Sequence, residues 1–186
     1  MQAAVDAARE GDVIKIAAGT YSDLHQRQGS FQVVHIKKRI TLRGGYSAAG
    51  GYADPHRPDT HRTILDAQSQ GRVVVIDHAG PTLEGLVITG GAGYSSGGGI
   101  HAEGSSAIIR YCQIVDNAAD GDGGGVFVNR GSVLIEIHHE WQVARRYFSK
   151  ASMRRLQEPQ EAVAVMLPTP LERNHADAVS ACFLHA

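Results

Sequence analysis

The stretch "GGGIHAEGSSAIIRYCQIVDN" (97–117) is answered 26 residues later by "GGGVFVNRGSVLIEI" (123–137). The two run in register through Ile137 and then part. The register reaches one unit further upstream: Val74, Ile100 and Val126 share a column, as do Ile76, Ala102 and Val128. Pro81, Ala107 and Val133 form a third column, and Leu83, Ile109 and Ile135 a fourth. Each unit holds two short alternating runs of apolar and polar residues, separated by glycine or serine. Alternation of this kind marks half-buried strands. Repeated at a fixed period with turns between, it predicts one coil of a parallel β-solenoid. Residue i then stacks on residue i+26 at about 4.8 Å, the ordinary spacing of paired strands. Inward columns become apolar ladders, as these four are. The outward column Glu84, Arg110, Glu136 alternates in sign. Opposite charges on neighbouring strands stabilise by about 0.2–1 kcal/mol per pair, and the column reads as a solvated ion-pair ladder.

Upstream the period is disturbed but the strand grammar persists. "VIKIA" (13–17), "VVHI" (33–36), "ITLRGG" (40–45) and "TILDA" (63–67) are short, β-branched and bounded by turns. Between Tyr46 and Arg62 lies a Gly-, Pro- and Asp-rich segment whose length predicts a loop projecting from the solenoid, a usual place for binding residues. The first ten residues read as an amphipathic helix carrying Ala3, Val5 and Ala8, with Gly11 as its stop. Such a helix suits the open end of a solenoid, whose first coil otherwise exposes apolar ladders and unpaired backbone.

Beyond Ile137 the ladder fails column by column. His138 follows Leu86 and Cys112, Glu140 follows Ile88 and Ile114, and Val143 follows Gly91 and Asn117. All 22 glycines lie between Gly11 and Gly131, and none occurs in residues 138–186, where average usage would place roughly three. The chain therefore divides into a β-helix region, 1–137, and a C-terminal tail, 138–186, which reads as irregular or partly helical before Pro159. Two readings of the tail stay open: a cap over the last coil, or a non-native continuation such as a frameshifted or truncated end of a longer solenoid.

The formal net charge of −1 gives no support to nucleic acid or an anionic membrane as a partner. No apolar run approaches the roughly 18 residues of a membrane span. "MQAAVDAAREGD" (1–12) shows no basic segment followed by an apolar run, so it does not read as a secretory signal. Two cysteines, Cys112 and Cys182, make no disulfide framework.

With "QAAVDAAREGDVIKIAAGTY" (2–21), "ITLRGGY" (40–46), "TILDA" (63–67) and the two glycine-triplet coils, the chain resembles bacterial right-handed parallel β-helix proteins of the pectin-lyase-like group. It is most similar to their surface-associated, glycine-rich members. The resemblance covers residues 1 to about 137. It implies a right-handed solenoid and an extracellular or cell-surface location. It does not select an activity, because the group includes polysaccharide lyases, hydrolases, phage tailspikes and exported proteins without a reaction.

Sugar-cleaving relatives use clustered carboxylates, or calcium with a basic residue that removes a proton beside a uronate. Asp77 and Glu103 are 26 apart and stack, Asn129 completes their outward column, and His101 stands at the adjacent outward position. Asp77, His101 and Glu103 are thus the glycan-binding candidates. A calcium ion at this column would take its oxygen ligands from neighbouring coils, although no cofactor is required by any motif. "VVVIDH" (73–78) ends in Asp-His as in some pectate lyases, but the accompanying Arg-x-Pro-x-x-Arg spacing is missing from "HRPDTHR" (56–62). "DGDGGG" (120–125) reads as a tight turn, the basic "KKR" (37–39) as a solvated turn, and Cys112 as a small core residue. No His-Glu-x-x-His or comparable metal spacing occurs.

These features predict an all-β fold: a right-handed parallel β-helix with an N-terminal capping helix. The functional reading is a non-catalytic exported or cell-surface module that presents a face and the Tyr46–Arg62 loop to a polysaccharide or surface protein. The alternatives are a polysaccharide lyase or glycoside hydrolase acting on acidic polysaccharide, and a fragment without independent function.

Overall fold

Short β-branched runs broken by glycine and polar corner residues cannot extend, so the chain turns every few residues and buries one side of each run. The computed structural model, which describes residues 1–49, 52, 56–137 and 162–166, is a parallel β-solenoid of about five turns. After the helix α1 (Gln2–Ala7) come β1 (Val13–Ala17), β2 (Gly19–Tyr21), β3 (His25–Arg27), β4 (Ser30–Ile36) and β5 (Thr41–Tyr46). Next are β6 (Thr63–Asp66), β7 (Arg72–Asp77), β8 (Thr82–Glu84), β9 (Leu86–Thr89) and β10 (Ala92–Gly93). The last coils hold β11 (Ile100–Glu103), β12 (Ser106–Arg110), β13 (Gln113–Ile114), β14 (Ala118–Ala119), β15 (Val126–Asn129) and β16 (Ser132–Ile137), and β17 (Ala162–Met166) follows.

Three sheets run the length of the solenoid. Sheet A stacks β1, β5, β8, β12 and β16 in parallel, sheet B stacks β2, β6, β9 and β13, and sheet C stacks β4, β7, β11 and β15. The 26-residue period is the observed register: Ile100 lies between Val74 and Val126, and Ala102 between Ile76 and Val128. Ile109 lies between Leu83 and Ile135. These residues are buried in one continuous core that Val34, Ile36, Leu42 and Leu65 extend into the upstream coils. There the spacing changes because two insertions lengthen the coils. The segment after Tyr46 places Val34 on Val74 and Leu42 on Leu83, and the β3–β4 hairpin lies within the preceding coil, which places Ile14 on Leu42.

The corners repeat as strictly as the strands. His78, Gly104 and Arg130 occupy one corner on successive coils with φ of 49°, 56° and 53°, and Gly85 and Tyr111 share another at 65° and 54°. This left-handed region is costly for residues with a Cβ, so the register imposes it where glycine is absent. Gly98 answers a different need. A methyl there would collide with the carbonyl oxygen of Ala118 on the next coil, and the glycine lets the backbones meet.

The N-terminal helix is shorter than the ten residues predicted and ends before Gly11, with Ala8 extended at its C-cap. Through a buried side chain it closes the part of the sheet C edge that β3, paired with Ser30–Gln32, leaves open. Gln2 Oε1 accepts the backbone N–H of His35 (2.7 Å), and Gln2 Nε2 donates to the His35 carbonyl (3.1 Å). The amide thus substitutes for the missing neighbouring strand. Lys38, expected in a solvated turn, donates to the carbonyls of Asp6 (2.7 Å) and Ala8 (2.6 Å) at the end of α1, where a cation is favoured.

At the other end, β17 pairs antiparallel with β16, Glu136 opposite Val163. A strand there was not anticipated from a tail without sustained alternation. The stretch expected to be partly helical lies outside the described residues.

Replacing Gln2 by alanine should strand a buried N–H and C=O of His35. The expected loss is about 1–3 kcal/mol of unfolding free energy, measured by urea titration as a lower midpoint.

Candidate functional site

Asp77, Glu103 and Asn129 are the final residues of β7, β11 and β15, each facing outward just before the left-handed corner. Glu103 pairs with Asp77 on one side and Asn129 on the other, so the predicted column exists. Its head is Lys37, one residue beyond β4, whose Nζ lies 3.0 Å from Asp77 Oδ2.

Asp77 is crowded with donors. His78 Nδ1–H donates to Oδ1 at 2.6 Å, and Gln28 Nε2 donates to Oδ2 at 3.2 Å. The buried His35 brings Nε2 to 3.7 Å from Oδ2. The hydrogen bonds from His78 and Lys37 hold the Asp77 carboxyl well below the usual carboxylate range. Burial, reinforced by the nearby Lys37 ammonium, pushes the His35 imidazole pKa down, and Asp77 pulls it the other way. Glu103 has a single side-chain partner here, accepting from Asn129 Nδ2 at 2.9 Å. His101 is half-buried; its Nδ1 donates to the Ser96 carbonyl (3.1 Å), and its ring stacks on Phe127 at 5.1 Å. Burial lowers its pKa, which favours the neutral ring.

The chemistry follows from these partners. A general base needs a pKa near the working pH, and the donors on Asp77 hold its carboxyl far below it. A calcium ion would have to displace Lys37 and His78 from its oxygens. The structure brings Asp77 and Glu103 side by side, with His101 on the same face, but assigns Asp77 to an ion-pair cluster tying the β3–β4 hairpin and the end of β4 to β7. His78 was visible beside Asp77 in the sequence. Lys37 and Gln28 were not, because their approach depends on the irregular spacing of the upstream coils.

Sheet A carries a second polar row. The ladder predicted from Glu84, Arg110 and Glu136 is longer than the repeat revealed: Arg43 stacks on Glu84, and Lys15 stacks on Arg43. It is also not fully solvated. Glu84 is 7% exposed, and its Oε2 accepts from Arg43 Nε (2.8 Å) and Arg110 Nη2 (3.3 Å).

What covers it is the end of the segment expected to project. Residues 56–62 lie back on the sheet, with the Arg57 N–H bonded to the Gly45 carbonyl at 2.8 Å. The His56 ring sits between Tyr46 (5.9 Å) and Tyr111 (6.3 Å). Cys112 lines the core as read, and burial pushes its thiol up to about 12.

Comparison with protein-family models, curated proteins and solved structures yields no match. Among the described residues no helix is long and apolar enough to cross a membrane.

Asp77→Asn should lower stability at neutral pH by about 1–3 kcal/mol. Because the native carboxyl pKa is depressed, the contribution is present above the ordinary value of 3.8 and is lost as pH falls through the depressed native value. Thermal midpoints of the two proteins should therefore converge in acid.

Proposed function

We propose that this chain is a non-catalytic module of an exported or cell-surface β-helix protein of the pectin-lyase-like kind. In this reading it presents sheet C, and separately the Tyr46–Arg62 segment whose residues 56–62 rest on sheet A, to a glycan or a surface protein. The observation that carries the reading is the state of Asp77. The best-placed carboxylate of the outward column is held by Lys37, His78 and Gln28, which suits a rigid face better than proton transfer or metal ligation.

The face also offers contact area. Phe31 of β4 and Tyr94, in the corner loop leading to β11, are exposed at 44% and 79%. Exposed aromatic rings present apolar faces with little conformational entropy to lose, and tyrosine adds a polar tip. The rival reading, a lyase or hydrolase acting on acidic polysaccharide, rests on Glu103 and His101.

The two separate experimentally. The full chain is run through native gels containing neutral and acidic polysaccharides, and the same polymers are incubated with it and calcium while absorbance of unsaturated products and reducing ends is followed. Binding should appear as retardation by at least one polymer, or as retention of a surface protein, without product. Turnover abolished by Glu103→Gln would establish the enzymatic reading instead, and neither binding nor turnover would remove both.

A further inference from the structure

Residues 56–62 are held on sheet A by a small set of contacts centred on one imidazole. We propose that this segment is a pH-gated strap, with His56 as the latch that seats it over Glu84 at neutral pH and releases it in acid.

The seat is built for the ring. Gly45 and Gly85, on adjacent coils, form its floor: a methyl on Gly85 would strike His56 Nε2, and one on Gly45 would meet His56 and Pro58. Tyr46 and Tyr111 flank the ring. Nδ1 is turned towards Glu84 Oε1 at 3.9 Å, beyond hydrogen-bond reach. Nε2 is buried over the glycine floor and has no hydrogen-bond partner among the described residues. That site accepts a lone pair but offers a proton nothing to bond to, and a buried unpaired N–H is costly.

The charges facing the ring divide, two arginines against two carboxylates. Arg43 from β5 and Arg110 from β12 stand on either side of Glu84 from β8, so two guanidinium groups already share one carboxylate oxygen. Asp59, on the strap itself, is the other acid that acts on the ring. A protonated His56 would add a third cation to Glu84 in a half-buried site. Burial accordingly sets the His56 pKa below its ordinary value, with Arg43 and Arg110 lowering it and Glu84 and Asp59 opposing.

Among the described residues the ties that resist release are few, with Lys15 Nζ donating to the Tyr52 carbonyl (3.0 Å) just outside the strap and the His61 Nδ1 buried within it. Besides the ring contacts and the Arg57–Gly45 bond, Arg62 Nη2 donates to Gln113 Oε1 at 3.0 Å in an exposed position, and the Arg62 carbonyl accepts the Gly19 N–H at 3.0 Å. His61, also on the strap, bonds through its backbone to Arg57. Opening hinged at Arg62 would uncover the Arg43–Glu84–Arg110 row and its glycine floor without unpairing the coils.

Sign and size follow from linkage. A seated imidazole with a depressed pKa favours the closed strap above the ordinary histidine value of 6.5 and loses that advantage as pH falls through the seated value. Each unit of difference between seated and free pKa is worth tenfold in the closing equilibrium.

The test is hydrogen exchange at the Arg57 amide in the full chain, corrected for intrinsic exchange, at about pH 7.5 and about pH 5. Protection at Arg57 should fall between the two pH values in the unsubstituted protein, by about tenfold for each unit that separates the seated from the free value, while amides of β7 and β11 keep theirs. In His56→Phe, which keeps a ring but cannot take a proton, protection should not depend on pH. Unchanged Arg57 protection in the unsubstituted protein, or an equal loss in His56→Phe, would overturn the proposal. Should that variant not fold, the His56 ring is titrated by NMR in the unsubstituted chain. Titration below the ordinary histidine value, together with loss of Arg57 protection, upholds the latch; titration at or above that value refutes it.

Discussion

The rest of this molecule depends on backbone pairing between one coil and the next. Parallel strands about 4.8 Å apart leave no freedom in where residue i+26 can stand, and that single spacing turns four columns of modest apolar residues into a continuous core. It also makes the corners repeat. Because the strands must meet in register, the left-handed turn at Gly104 is imposed on His78 and Arg130 as well. Where coils press closest, as at Gly98 against Ala118, a side chain has no room. The glycine triplets are therefore consequences of the pairing distance.

A solenoid whose core is built from stacked neighbours has its weak points at the ends. Here the first end is closed by chemistry more specific than apolar cover. The Gln2 amide takes both backbone bonds of His35, while Lys38 ties the last carbonyls of α1 to the same coil. Asp77 belongs to this closure, since its donors Lys37 and Gln28 come from the irregular first coils and His78 from its own corner. At the far end an antiparallel strand, β17, pairs with the last strand of sheet A.

The two outward carboxylates most visible in the sequence have become structural for the same reason. Asp77 and Glu84 each sit where a regular coil meets an irregular one, and each gathers hydrogen-bond donors from both. Burial of a carboxylate is tolerable only with such pairing. On sheet C this leaves a face whose best-placed acid is already engaged, and Glu103 with only Asn129 as a side-chain partner among the described residues. On sheet A it leaves a carboxylate between two arginines beneath an imidazole.

From Val73 to Ile137 the fold was legible because an unbroken period writes spatial neighbours at constant sequence distance. Val74, Ile100 and Val126 could be stacked on paper, and so could Asp77, Glu103 and Asn129. The same rule hid Arg43 and Lys15 from the charged row and Lys37 from Asp77, since insertions of unequal length precede those contacts. The Tyr46–Arg62 segment was legible as a loop, but residues 56–62 were not legible as a cover, because composition reports that a stretch leaves the strand pattern and not where it comes to rest. The sequence alone determined the parallel stacking, the inward columns and the candidate face. Tertiary structure alone decided which charges are satisfied and which surface is covered, because those depend on contacts between segments with no common period.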